Sequence, residues 1–220
     1  MNTELNEERD DLSNEQRKDT GNILETITID WNMLSDVSYR TNLGKSLKNT
    51  LRKFQKEELF DEVDKLIMHF IEHSDRISYD HRVKSLQSCS IKYEKYFPSV
   101  PVEKAFNDIL GIRIIVDDYS IIEQIELPEE IKIADMRNGK ANDDGYRAVH
   151  MYYQKDHFHY PIEIQFMTSR DRQFNEWLHI FLYKYISDNS IGIRLKEMYD
   201  EGIIRSEEDF RKEMRKLCVI

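Results

Sequence analysis

Five short stretches rich in Ile, Val and Tyr, at 77–84, 111–116, 131–135, 146–153 and 161–167, constrain this chain more than any other feature. In the last of them, PIEIQFMT, Ile162, Ile164 and Phe166 alternate with Glu163 and Gln165, the period of a strand with one face buried. Helical or turn-rich segments separate the stretches. The pattern predicts an α+β domain with a mixed sheet of about five strands flanked by helices, and with helical segments at both ends. Only seven Gly and four Pro in 220 residues suit such a helix-rich domain better than a turn-rich β sandwich.

The predicted organisation follows the changes of period. Residues 1–20 carry seven acids and three bases with no apolar core, which reads as a mobile acidic tail and not as a signal peptide. Residues 21–76 form an N-terminal helical segment, 77–190 the sheet domain, and 191–220 C-terminal helices. Within the first helical segment, Leu43, Leu47, Leu51 and Phe54 recur at helical spacing between Asp36 and Gln55. The other faces of this predicted helix carry Arg40, Lys45, Lys48, Arg52, Lys53 and Lys56 without one acid. In a chain of net charge −10 that run is either a solvated helix face or a surface for a polyanion. A second helix is expected over 57–73, with Phe60, Val63, Ile67 and Phe70 on one stripe. Helices are expected again over 169–187, on the stripe Phe174, Trp177, Leu178, Phe181 and Tyr185, and over 192–217. No apolar run approaches the roughly 20 residues of a membrane helix, and Cys89 and Cys218 lie far from any CxxC or Cys/His cluster. The expectation is a cytoplasmic protein with two free thiols and no membrane partner.

Residues that carry chemistry cluster in the sheet domain. RVKSLQSCSIK places Arg82 and Lys84 on one face of a strand, and Ser88 and Lys92 on one face of the following helix. Four phosphate-seeking groups beside a helix N-terminus make a polyphosphate cradle, although surface cations around a capping serine would produce the same string. Asp108 precedes GIRIIV, in which Arg113 is the one charge. Asp108 and Glu163 could share a Mg²⁺, a hard cation held by one or two carboxylates plus substrate phosphates, or each could serve a structural ion pair. In GYRAVHMYY, Tyr146 and His150 fall on one side of a strand and Arg147 on the other, so the ring could stack a base or simply be a half-buried strand aromatic.

Taken in order, R-x-K-x3-S-x3-K, D-x2-G-x-R, G-Y-R-x2-H and E-I-Q-x2-T resemble the synthetase domain of the RelA/SpoT family in its single-domain form, the small alarmone synthetases, from Arg82 to Lys184. The resemblance implies a nucleotidyltransferase-like sheet and an enzyme that moves the β,γ-diphosphate of ATP onto a ribose 3′-hydroxyl with Mg²⁺. By the same resemblance Arg82, Lys84, Ser88, Lys92 and Arg113 bind ATP, with the two arginines clamping adenine. Asp108 and Glu163 are the catalytic and metal-binding carboxylates. Tyr146, Arg147, His150 and Gln165 serve the acceptor. His179, Tyr183 and Lys184 match further family positions.

The chain also departs from the family. Phe166, Met167 and Thr168 follow the E-I-Q, so an arginine usual at that point is missing and Arg170 or Arg172 is the candidate to replace it. In the loop NGKANDDG, Lys140 sits five residues before Gly145, and Asp143 and Asp144 intervene where the family's loop resembles PKxNGY. Three readings follow. The first is transfer to GDP or GTP, giving (p)ppGpp. The second resembles the toxic small alarmone synthetases, with the 3′ CCA end of tRNA as acceptor, the run from Arg40 to Lys56 as tRNA-binding surface and an antitoxin as partner. The third is an inactive nucleotide-binding regulator. The C-terminal helices suit a homo-oligomer or a docked partner equally.

Overall fold

In the computed structural model, residues 28–183, 185, 186 and 188–218 are described, and the acidic stretch 1–20 lies outside them. The five expected strands are β1 (Asp80–Val83), β2 (Leu110–Val116), β3 (Ile131–Asp135), β4 (Val149–Tyr153) and β5 (Ile162–Thr168). They form one sheet in the order β1-β2-β5-β4-β3, with β2 and β5 parallel and every other pair antiparallel. The fold is therefore the α+β mixed sheet that the sequence predicts. Helices α1 (Trp31–Val37), α2 (Lys56–Glu72), α3 (Leu86–Tyr96) and α4 (Val102–Ala105) precede or interrupt its first strands. After β5 come α5 (Ser169–Trp177), α6 (Asn189–Asp200) and α7 (Glu207–Cys218).

Alternation along the strands divides the molecule into two cores. Ile112, Met151, Ile162, Ile164 and Phe166 leave one face of the sheet and join Leu59, Leu66, Phe70 and Phe106 in the larger core. A second cluster, with Tyr146, Ala148, Met167, Phe174, Trp177, Leu195 and Phe210, forms between the other end of the molecule and the C-terminal helices. The remaining part of that second face, between β1 and β4, stays open. No helix among the described residues is long and apolar enough to cross a membrane. Cys89 is buried and Cys218 exposed, both unbridged as expected.

Asp36 to Gln55 is not the helix its spacing predicts. Beyond α1 the chain runs irregularly, with Gly44 at φ +65° and a short 3₁₀ turn at Leu51–Lys53. Its amides bond to distant partners, Thr41 to Phe158 O at 2.8 Å, Leu47 to His157 O at 2.8 Å and Leu51 to Val100 O at 3.0 Å. Those bonds replace the i→i−4 ladder while Leu47, Leu51 and Phe54 still reach the core. The cations consequently do not share a helical face. Arg40 stacks on Phe158 and Lys45 donates to Lys53 O, whereas Lys56 pairs with Glu94 at 2.6 Å.

The C-terminal expectations need similar correction. The helix over 169–187 ends at Trp177 and continues as a π turn over Leu178–Leu182, which leaves Tyr185 exposed and off the apolar stripe. The helix over 192–217 is two helices, parted at Gly202 with φ +74°.

Candidate active site

The open face of the sheet is built by register. Glu163 on β5 lies between Gly111 of β2 and Tyr152 of β4, and one step along the strand Gln165 lies between Arg113 and His150. On the outer side of β2, Arg82 stands opposite Gly111. Period-two alternation sends all of these side chains to the same side, away from the larger core.

Glu163 is held tightly. Its Oε1 accepts from the Tyr152 hydroxyl at 3.2 Å and lies 3.0 Å from His150 Nδ1, and its Oε2 accepts from Gln165 Nε2 at 2.7 Å. The Tyr152 hydroxyl gives its proton to Glu163 and so accepts from His150 Nδ1 at 3.3 Å, which leaves Nε2 to accept from the Tyr146 hydroxyl at 2.8 Å. Burial, followed by the charge of Glu163, raises the pKa of both tyrosines, which keeps their hydroxyls as donors. Two of the roughly four acceptor positions of the carboxylate are taken by hydrogen bonds, so about two remain.

Asp108 lies at the mouth of β2. Both Lys84 and Lys92 bond to it, Lys92 Nζ at 2.9 Å, and Lys92 also reaches Asn107 Oδ1 at 3.1 Å. Burial alone would raise the Asp108 pKa, but Lys92 and Lys84 together outweigh it and hold the carboxyl below its ordinary range. The two lysines expected on ATP phosphates thus rest on the proposed metal ligand.

These groups line a cavity of about 700 Å³ whose wall has seven lysine and arginine side chains against three carboxylates. In a chain of net charge −10, that local excess makes the cavity attract anions. Of the expected residues, Arg82, Lys84, Lys92, Asp108, Arg113, Tyr146, His150, Glu163 and Gln165 meet there, along with His179 and Tyr183. Arg172 lines the cavity, while Arg170 packs on Tyr199 and donates to its carbonyl at 2.7 Å. Lys184 is outside the described residues.

Two expected residues are not in the wall. Ser88 bonds to Ser85, and Ser85 is the residue that caps α3. Arg147 turns out of the cavity, donates to the Tyr146 carbonyl at 2.9 Å and grips Asp143 with two bonds of 2.7 and 3.0 Å. Tyr96, Lys104, Asn107, Tyr152 and Ile180 line the cavity without having been singled out in the sequence. Tyr152 was accessible to the period-two rule from His150, and Tyr96 to the spacing of four from Lys92. Lys104 had no local signal, because α4 is brought there by tertiary contacts.

His179 stands edge-on to Tyr146 and Tyr183, with ring centroids 6.4 and 5.1 Å apart. Burial first, then the charge of Arg82, lowers its pKa and favours the neutral imidazole. Among the described residues no three His, Cys, Asp or Glu side chains gather as a ready-made metal site. The donor set nevertheless fits Mg²⁺. Asp108 and Glu163 are hard oxygen ligands in one phosphate-attracting cavity, and each retains an unused acceptor position.

The model of the region found in RelA / SpoT proteins matches residues 81–188, which run from within β1 to the residue before α6 and include every group just described on β2, β4 and β5. Residues 81–188 are a RelA/SpoT region. Among solved structures, the chain is similar to the small alarmone synthetase 1 from Bacillus subtilis bound to its product pppGpp, at 22% identity over 74% of this chain and 90% of that one, with a TM-score of 0.41. It is similar to small alarmone synthetase 2 from Bacillus subtilis at 20% identity, over 74% and 95% of the two chains, with a TM-score of 0.41. A GTP pyrophosphokinase family protein from Streptococcus pneumoniae is similar at 19% identity, over 72% and 95%, with a TM-score of 0.39. No curated protein matches the chain. The RelA/SpoT region carries all of the sheet but Asp80, whereas α1, α2, α6 and α7 lie outside it.

Proposed function

We propose that the chain is an ATP-dependent diphosphotransferase that moves the β,γ-diphosphate of ATP to the ribose 3′-hydroxyl of GDP or GTP. The observation that carries this reading is the anchored Glu163, with acceptor positions still open, in a cavity otherwise dominated by cations. Phosphoryl-type transfer depends mainly on positioning and on neutralising charge that develops in the transition state. Arg82, Lys84, Lys92 and Arg113 supply fixed positive charge for the donor. Tyr146 offers a ring to the acceptor base, worth about 1–3 kcal/mol where a base stacks on an aromatic. Glu163 accepts the proton of the attacking hydroxyl at one of its open positions, and Tyr152 and Gln165, with His150 beside them, keep it aimed. Asp108 and Glu163 would hold Mg²⁺, which neutralises phosphate charge when bound.

One observation favours a tRNA 3′ end as acceptor instead. Asp143 and Asp144 each occupy a cation of the acceptor loop, Arg147 and Lys140, which weakens the case for an acceptor carrying its own polyphosphate. On that reading the exposed Lys48, Arg52 and Lys53 contact the nucleic acid, and an antitoxin protein is the expected partner.

The test is to incubate the protein with Mg²⁺ and γ-labelled ATP, offering GDP, GTP or deacylated tRNA separately. Label is expected in the guanine nucleotide, and Asp108→Asn and Glu163→Gln are each expected to abolish transfer while folding normally. Label in tRNA alone replaces the acceptor assignment. Label in neither, with chelator-insensitive ATP binding, overturns the proposal and leaves a nucleotide-binding regulator.

A further inference from the structure

The acceptor loop is joined to a helix outside the RelA/SpoT region. Asp144 and Gly145 lie against Gly192, in the first turn of α6, with backbone on backbone. A Cβ placed on Gly192 would come 2.0 Å from the Asp144 carbonyl oxygen, and one on Gly145 would come 2.4 Å from the Gly192 carbonyl oxygen. Neither contact can be relieved by turning a side chain, since backbone opposes each Cβ. Gly145 also has φ +86°, which independently favours glycine. Gly192 has no such conformational reason: it sits in a helix, where glycine is the poorest former short of proline. Close approach is what its missing side chain provides.

The contact fixes a side chain in the cavity. Asp144 is largely buried, takes the Tyr146 amide on Oδ1 at 3.2 Å, and holds Lys140 Nζ on Oδ2 at 2.8 Å. Lys140 in turn lies 5.5 Å from the centroid of the Tyr146 ring, the ring proposed for the acceptor base. The order of dependence is therefore Gly192, the Asp144 backbone, the Asp144 carboxylate, Lys140, and the face of Tyr146.

We infer that Gly192 is a positioning residue of the acceptor subsite: by admitting the Asp144 backbone against α6 it sets where Lys140 stands over Tyr146, so that α6 is part of the acceptor site. The inference rests on the acceptor role proposed for Tyr146. Lys140 is then an acceptor contact whose place is decided some 50 residues further along the chain.

Gly192→Ala, Lys140→Met and the double variant test it in the full chain. Two measurements are made, transfer kinetics with KM separated for donor and acceptor, and hydrogen–deuterium exchange of amides 143–147. Gly192→Ala is expected to raise the acceptor KM about tenfold, to leave the affinity for a non-hydrolysable ATP analogue within about twofold, and to speed exchange of the Gly145 and Tyr146 amides but not those of β2 and β5. The double variant is expected to be no worse than the poorer single one, because both act through one side chain. Additive losses, or an acceptor KM equal to that of the parent, overturn the inference. Should Gly192→Ala fail to fold, Asp144→Asn takes its place, since it releases Lys140 without touching the glycine contact; an unchanged acceptor KM there also overturns it. If the parent protein transfers to no acceptor, the proposed function fails by itself, and faster exchange at 145 and 146 in Gly192→Ala still reads the coupling of loop to helix.

Discussion

At the scale of residues, the site is a set of matched donors and acceptors more than a set of charges. Glu163 is useful because Tyr152 and Gln165 each fix one of its oxygens, with His150 close by, and leave the rest of the carboxylate free to act. Tyr152→Phe keeps the ring and removes one donor, so steady-state kinetics should show kcat down by about tenfold, the cost of one hydrogen bond to a charged group, with both KM values near those of the parent. Asp143 gives a separate prediction in acid. Burial would raise its pKa, but the Arg147 guanidinium and the Gly145 amide overcome this and hold it below the ordinary value. A depressed folded pKa adds stability that is present above the unfolded value of about 3.9 and is lost as pH falls through the folded one. Urea midpoints of Asp143→Asn should therefore lie below the parent at pH 6 and approach it as the pH is taken from about 4 to 2.

Among the elements, α5 shows how the end of a strand becomes part of the support. Thr168, the last residue of β5, accepts the Asp171 amide at 3.1 Å and donates from its hydroxyl to Asp171 at 2.9 Å; Tyr119 donates to the same carboxylate at 2.8 Å. One threonine thus stops the strand, caps the helix and ties down a buried acid. Thr168→Ala removes the cap and should cost about 1–2 kcal/mol in denaturant unfolding, with the higher figure expected because Asp171 also loses a partner. Thr168→Ser keeps both bonds and should recover most of the loss. The stretch before α2 teaches the opposite lesson about elements. Its Leu and Phe spacing suits a helix, yet the amides at Thr41, Leu47 and Leu51 find partners at Phe158, His157 and Val100. Apolar periodicity told which residues go inward and not which backbone carries them there.

For the whole molecule, the two cores divide the labour. The larger one, under the sheet, holds Leu66, Phe70 and Phe106 with no exposed surface, and it sets the stability of the platform on which Glu163 and Asp108 stand. Leu66→Ala should cost about 2–5 kcal/mol, read as a lowered denaturant midpoint at unchanged slope. The smaller core joins the second face to the C-terminal helices, and through Gly192 it reaches the acceptor loop.

The strands, their two faces and nine of the eleven expected cavity residues outside the basic run were legible because alternation and short motif spacings are local properties, written in neighbouring residues. The resemblance in motif order was legible for the same reason, and the matched region bears it out. The period-two rule already sends Arg147 to the side opposite Tyr146, and Ser88 and Arg147 are held outside the wall by near neighbours in sequence, Ser85 and Asp143. The dispersal of the cations between Arg40 and Lys56 was decided in three dimensions. The same holds for Lys104 and for the seat of Asp144 on Gly192, which join segments far apart in the chain. A hydrogen-bond partner or a backbone contact that arrives from a distant segment leaves no period in the local sequence, and only the folded chain brings it into place.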